Sequence, residues 1–162
     1  NLLTICKNLF NIIPKIVIRP SGMYLNIYSK RVFELLTERF RIPRGIKCYT
    51  VKIPEEILVS EDRYIQSVLK GMFNTDGGVG LDRRKAYKKP YVRLNYTSAS
   101  PVLISQLSTL LTKYRLAHSI HKTNNDRAQQ IQINGEKNVK LFVNTIGFSN
   151  PRHLKKISYL VS

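Results

Sequence analysis

The run Leu69-Lys70-Gly71-Met72-Phe73-Asn74-Thr75-Asp76-Gly77-Gly78 constrains this chain more than any other, because a helix with one apolar face leads straight into an acid backed by two glycines. Ile65, Val68, Leu69, Met72 and Phe73 fall at i, i+3, i+4, i+7 and i+8, the stripe of a helix that buries one side. Asp-Gly-Gly is turn chemistry, so the helix stops there and points the Asp76 carboxylate out of its end. Gly71 interrupts the stripe. A glycine inside a helix costs about 1 kcal/mol relative to alanine, and its use would be to let a second backbone approach, with Leu69, Gly71 and Met72 at the contact. Two such helices side by side would bring two carboxylates together, where they can share divalent metal. The plainer reading of the same spacing is a surface aspartate in a turn.

Composition narrows the partner. The 162 residues carry 27 Lys and Arg against 10 Asp and Glu, a net charge of +17, with 43% hydrophobic residues. That describes a folded, strongly basic globule whose natural partner is a polyanion, above all nucleic acid. A basic ribosomal or chromatin protein would show the same surplus. No apolar run approaches the roughly 18 to 20 residues that span a bilayer, and no signal-peptide pattern opens the chain. The expectation is a soluble intracellular protein of the cytoplasm or an organelle matrix, without a membrane partner. Cys6 and Cys48 are too few for a thiolate zinc site or a disulfide framework, and both read as buried or inert thiols.

Helix patterns fall at about 2–10, 30–40, 61–74, 101–115, 136–146 and 151–161. Ser100-Pro101 and Asn150-Pro151 each set a capping side chain before a proline suited to the first helical position. Alternating segments at 24–28, 92–97 and 130–133 predict strands. A weak internal repeat also emerges. Lys15 to Arg19, a turn at Ser21-Gly22, Leu25 to Ile27, a helix through Phe33 and Leu36, and Ile42-Pro43 echo His118 to Lys122, Ile131 to Ile133, a helix through Phe142 and Val143, and Asn150-Pro151. The offset is about 103 to 108 residues, which suits a duplicated domain. Only the second copy is preceded by its acid-ended helix and a strand pair.

Together with Ile53-Pro54-Glu55-Glu56-Ile57-Leu58 and Gly147-Phe148-Ser149-Asn150-Pro151-Arg152-His153-Leu154, the nonamer at 69–77 resembles the LAGLIDADG motif of homing endonucleases, in the form found in inteins and archaeal introns. The resemblance implies an α+β fold of αββαββα units with an antiparallel saddle sheet, two units being needed for one active site. This chain shows one complete unit, 59–162, and a partial one, 1–58 (helix, β-hairpin, helix). The motif's eighth residue, the metal-binding acid, is Asp76, and the Thr75 carbonyl would be a secondary metal contact. Mg²⁺ would be the cofactor, with Mn²⁺ able to substitute. The second acid would come from a homodimer or from a missing N-terminal segment carrying another motif. Two positions depart from the pattern: Asn74 stands where Asp is common and Lys70 where Ala is common.

Binding residues follow from alternation. Arg93, Asn95 and Thr97 share one face of their strand, backed by Val92, Leu94 and Tyr96; Gln130, Gln132 and Asn134 form a similar face before Ile131 and Ile133. Amide and guanidinium groups can pair with purine edges in the major groove. Lys15, Arg19 and Asn26 offer the same in the partial repeat, and Lys122 adds charge near the second. The loop holding Arg83, Arg84, Lys85, Lys88 and Lys89 suits phosphate contact beside Asp76. His118 and His121 are three apart on a strand, pointing to opposite faces, and make a poor metal pair.

The function expected is a site-specific homing-type endonuclease that cuts both strands of a long DNA duplex by Mg²⁺-dependent phosphodiester hydrolysis. The family's water-ordering basic or amide residue near the second strand's end is matched here by Thr97-Ser98-Ala99, without lysine or glutamine, although Lys85, Lys88 or Lys89 could substitute. That gap favours the alternative, a catalytically inactive DNA- or RNA-binding descendant, a maturase or regulator that meets intron RNA. A basic structural protein of ribonucleoprotein is the third reading.

Overall fold

The computed structural model describes residues 2–84, 90–123 and 127–161, which fall into two compact units, Asn1–Arg44 and Gly45–Ser162. In the first unit, helix α1 (Leu2–Phe10) is followed by an antiparallel hairpin, β1 (Lys15–Arg19) and β2 (Gly22–Asn26), and by α2 (Lys30–Glu34). The predicted helix at 30–40 is real but not uniform: α2 widens into a π-helical turn over Leu35–Arg39. Ser29 caps α2, its hydroxyl accepting from Val32 N–H. Among the described residues of this unit Pro14 and Val32 are buried, and α1 buries none.

The second unit runs α3 (Glu55–Leu58), α4 (Asp62–Thr75), β3 (Gly77–Asp82), β4 (Tyr91–Ser98), α5 (Pro101–Lys113), β5 (Ser119–Lys122), β6 (Gln129–Asn134), α6 (Glu136–Thr145) and α7 (Pro151–Val161). From α4 to α6 this is the αββαββα unit, and the first unit holds the αββα part of another. The four strands form an antiparallel sheet in the order β3-β4-β6-β5. Period-2 patterning decides its faces. Val92, Leu94 and Tyr96 of β4 and Ile131 and Ile133 of β6 are buried beneath the helices, while their neighbours face away. Ile65, Leu69 and Phe73 of α4, Leu107 and Leu111 of α5, Phe142 of α6 and Ile157 of α7 complete that core.

The stretch 45–58, which the sequence division assigns to the N-terminal segment, packs on this second unit. Ile53 is buried in its core, its backbone N–H donates to Gln106 Oε1 at 2.8 Å, and Gln106 Nε2 donates back to its carbonyl at 3.1 Å. Ser100, fully buried, caps α5 by accepting from Leu103 N–H and donates to the Val51 carbonyl at 2.6 Å. Both cysteines are free thiols, Cys6 half-buried and Cys48 exposed rather than buried, on the turn at 48–50. No helix among the described residues is long and apolar enough to cross a membrane.

Candidate functional site

Asp76 is the C-cap of α4, where its N–H donates to the Met72 carbonyl at 3.0 Å and its side chain is exposed. The C-terminal end of a helix is partially negative, so an acid there deepens a field that favours a cation. The strand must then leave at once. A Cβ on Gly77 would lie 2.6 Å from the Phe73 carbonyl oxygen and 2.7 Å from its Cα, so the tight exit requires glycine. Gly77 pairs with Tyr96, whose phenol is pushed up to about 12, first by burial and then by the Asp76 charge.

Phe73 anchors this corner, its ring centroid 4.7 Å from that of Phe142 and 5.6 Å from that of Tyr96. Asn74 buckles it. Its Oδ1 accepts from the backbone N–H groups of Ser149 (2.9 Å) and Asn150 (2.8 Å), and its Nδ2 donates to the Lys70 carbonyl and to Ser149 Oγ. Asn150 Nδ2 returns a bond to the Asn74 carbonyl at 2.9 Å. The amide at this motif position can both donate and accept, which a carboxylate cannot.

Along the outward face of α4, the exposed Tyr64, Ser67, Gly71 and Thr75 fall at i, i+3, i+7 and i+11. The Ser67 and Thr75 hydroxyls donate to carbonyls of their own helix, and a Cβ on Gly71 would meet nothing within 4 Å, so the face is low and open. Of the three residues expected at a helix contact, Gly71 lies on this face. Leu69 is fully buried in the unit's own core, with Met72 packed against that core and half-buried, because the apolar stripe faces the sheet.

The sheet face away from the helices brings Arg93, Asn95 and Thr97 opposite Asn134, Gln132 and Gln130 in direct register. Gln132 Nε2 donates to Gln130 Oε1 at 2.6 Å and Gln130 Nε2 to Thr97 Oγ1 at 3.0 Å, a chain of amides along the surface. On β3 this face holds Gly78 and Gly80, and the Asn95 side chain lies so close over Gly78 that a Cβ there would collide with Oδ1. Asp82 ends the row. Arg84 donates to it from the backbone N–H and Nε, both at 3.1 Å, and Arg93 from Nη2 at 3.0 Å. The Arg84 hydrogen bond foremost, with the charges of Arg84 and Arg93, holds the Asp82 carboxyl below the usual carboxylate range. Sequence reasoning missed this cluster because strand alternation says nothing of a pair joining β3 to β4.

Arg83 and Arg84 are exposed, while Lys85, Lys88 and Lys89 lie outside the described residues. Lys122 is exposed but alternates to the Ile120 side, opposite the polar face. In the first unit, register puts Lys15 and Asn26 on one face with Arg19, whose guanidinium lies 5.3 Å from the Tyr24 ring centroid. His118 Nε2 lies 2.7 Å from Ser108 Oγ and its Nδ1 2.8 Å from the Leu116 carbonyl, while His121 Nε2 meets Ser119 Oγ at 2.8 Å. Among the described residues no three His, Cys, Asp or Glu side chains gather as a metal cluster.

An acid-ended helix packed beneath an antiparallel sheet with a polar outer face defines a LAGLIDADG homing-endonuclease fold. Residues 63–147 match the LAGLIDADG-like domain, and the chain belongs to that family. It is similar to the homing endonuclease I-DmoI, solved in complex with DNA and Ca, at a TM-score of 0.63 and 18% identity over 98% of this chain and 73% of that one. Among curated proteins it is 28% identical over 118 residues to a probable translation initiation factor IF-2 of Thermococcus kodakarensis, covering 73% of this chain and 9% of that protein. It is also 30% identical over 147 residues to a replication factor C small subunit of Methanocaldococcus jannaschii, covering 88% of this chain and 7% of that protein. The chain thus spans only a small part of the curated relatives it matches.

Proposed function

We propose that this chain acts in a homing-type endonuclease that cuts both strands of a long DNA target. The observation that carries the reading is Asp76, exposed at the C-cap of α4 where the polar face of the sheet begins. The curated relatives carry names of unrelated tasks and match over 7% to 14% of their lengths, which supports a module common to them rather than those named activities. I-DmoI has been crystallised with DNA and Mn, and a variant of it with its target DNA in the presence of Mg, which supports the same duplex partner here.

The donor set fits a hard cation. The Asp76 carboxylate and the Thr75 carbonyl offer oxygens at the negative end of a helix, and Mg²⁺ is commonly held by one or two carboxylates plus substrate phosphate. Bound there, Mg²⁺ (or Mn²⁺) would supply positive charge to the attacking and leaving oxygens of a phosphodiester. The second acid would come from a second copy or from an N-terminal segment with its own motif, docking along the Tyr64-Ser67-Gly71-Thr75 face. Arg83, Arg84, Lys85, Lys88 and Lys89 would hold phosphates and fix register, while Arg93, Asn95, Thr97, Gln130 and Gln132 face the base edges. Lys15, Arg19 and Asn26 extend the contact, and Lys122 would reach the backbone from the rim of the sheet.

One observation favours a binder without chemistry, acting on DNA or intron RNA: the end of β4 carries Thr97 and Ser98, and the Thr97 hydroxyl is taken by Gln130. Incubating the protein with duplex from its native insertion locus, in Mg²⁺, Mn²⁺ or EDTA, separates the readings. The endonuclease gives a double-strand cut with either metal and none in EDTA. Shifted bands with no product in any condition leave the binder; failure to shift the duplex refutes the endonuclease, and failure to shift the intron RNA as well refutes both.

A further inference from the structure

Asp82 sits at the end of β3 on the polar face, opposite Tyr91, and its side chain is only 16% exposed. One carboxylate there grips two guanidinium groups, Arg93 through Nη2 at 3.0 Å and Arg84 through Nη2 at 2.7 Å besides its Nε. Arg93 is restrained at two further points. Its Cγ would lie 3.1 Å from a Cβ on Gly80, so its stem crosses a strand position that carries no side chain, and its guanidinium lies 5.9 Å from the Tyr91 ring centroid. An arginine on an open strand face normally keeps much of its rotamer freedom, and a planar fork fixed beforehand loses less on binding.

We propose that Asp82 is a positioning residue for sequence readout: by holding one amino group of Arg93, it sets that guanidinium to meet a guanine of the bound duplex. The inference rests on the duplex-binding reading above and adds a base preference to it. For Arg93, phosphate holding is the weaker use, because the Asp82 charge offsets its own and repels a phosphate laid beside it. Arg93 also stands within the sheet face, between Gly80 on β3 and Asn134 on β6, rather than on the loop. With one edge of the fork bound to the carboxylate, the other can give two parallel bonds to guanine O6 and N7.

Selection of bound sites from random duplex, run with the full-length protein and its Asp82→Asn, Asp82→Ala and Arg93→Lys variants, tests this. Wild type is expected to return a long consensus with an invariant guanine at one position. Asp82→Ala should lower the preference at that position by about tenfold while the other positions hold, Asp82→Asn should lower it less, and Arg93→Lys should lose it without loss of charge. Affinity for random duplex should stay level or rise in the Asp82 variants, a readout that simple misfolding would lower. If Asp82→Ala keeps the guanine, or if all positions fade together, the positioning role is wrong. A wild-type selection with no consensus at all refutes the duplex reading itself, and with it this inference, before any variant is compared.

Discussion

Both ring nitrogens of His153 lie buried without a hydrogen-bond partner among the described residues, on α7 and beside the Phe148 ring at 5.2 Å. Burial foremost, and then the charge of Lys156, hold its pKa below the ordinary 6.5. The folded state therefore binds this proton less readily than the unfolded chain. Stability should be full above about pH 6.5 and decline as pH falls through that value toward the lower folded pKa. Replacing His153 with leucine should remove this slope and raise stability by about 1 kcal/mol, since two unpaired buried polar atoms disappear. Melting temperatures of the two proteins between pH 5 and 8 check it, and parallel profiles would show that His153 is not the titrating group. The spacing to Ile157 and Leu160, at i+4 and i+7, puts His153 on the buried stripe of α7, but no local pattern tells that its ring nitrogens go unpaired.

At the scale of elements, the turn from α4 into β3 is the most demanding feature, because a Cβ at Gly77 would press on the backbone of Phe73. Gly77→Ala should cost about 1–3 kcal/mol through that overlap and shift Asp76 with it. Chemical denaturation measures the cost, and an unchanged midpoint would mean the corner has more slack than its distances allow. Most elements were legible where one pattern decided them. The apolar stripe gave α4, the serine and asparagine caps before prolines gave α5 and α7, and strict alternation gave β4 and β6 together with their polar faces. Long-range pairing was not legible. The Asn74 buckle to residues 149–150, the Gln106 clamp on Ile53 and the Asp82 bridge each join segments far apart in sequence or on adjacent strands, where no local period exists. The π-helical turn after α2 was hidden for a related reason, since its residues share the composition of an ordinary helix.

For the whole molecule, the two units differ in what they bury. The second has a continuous core from Ile53 to Leu160, whereas the first leaves Leu2, Ile5, Leu9 and Ile18 exposed. The proposed function, in which a second copy or another segment supplies the other half, would cover such apolar surface. In that function, the surplus of +17 charges would supply the general attraction for a duplex, and the amide and guanidinium face the means of reading it. The proposed function turns on Asp76 as one half of a shared metal site. The most direct test is the Asp76→Asn variant, assayed for both cleavage and binding of the native insertion duplex in Mg²⁺. Cutting should fall by about a hundredfold or more while the affinity for the duplex stays within a few-fold of wild type. Cleavage at the wild-type rate would contradict the assignment.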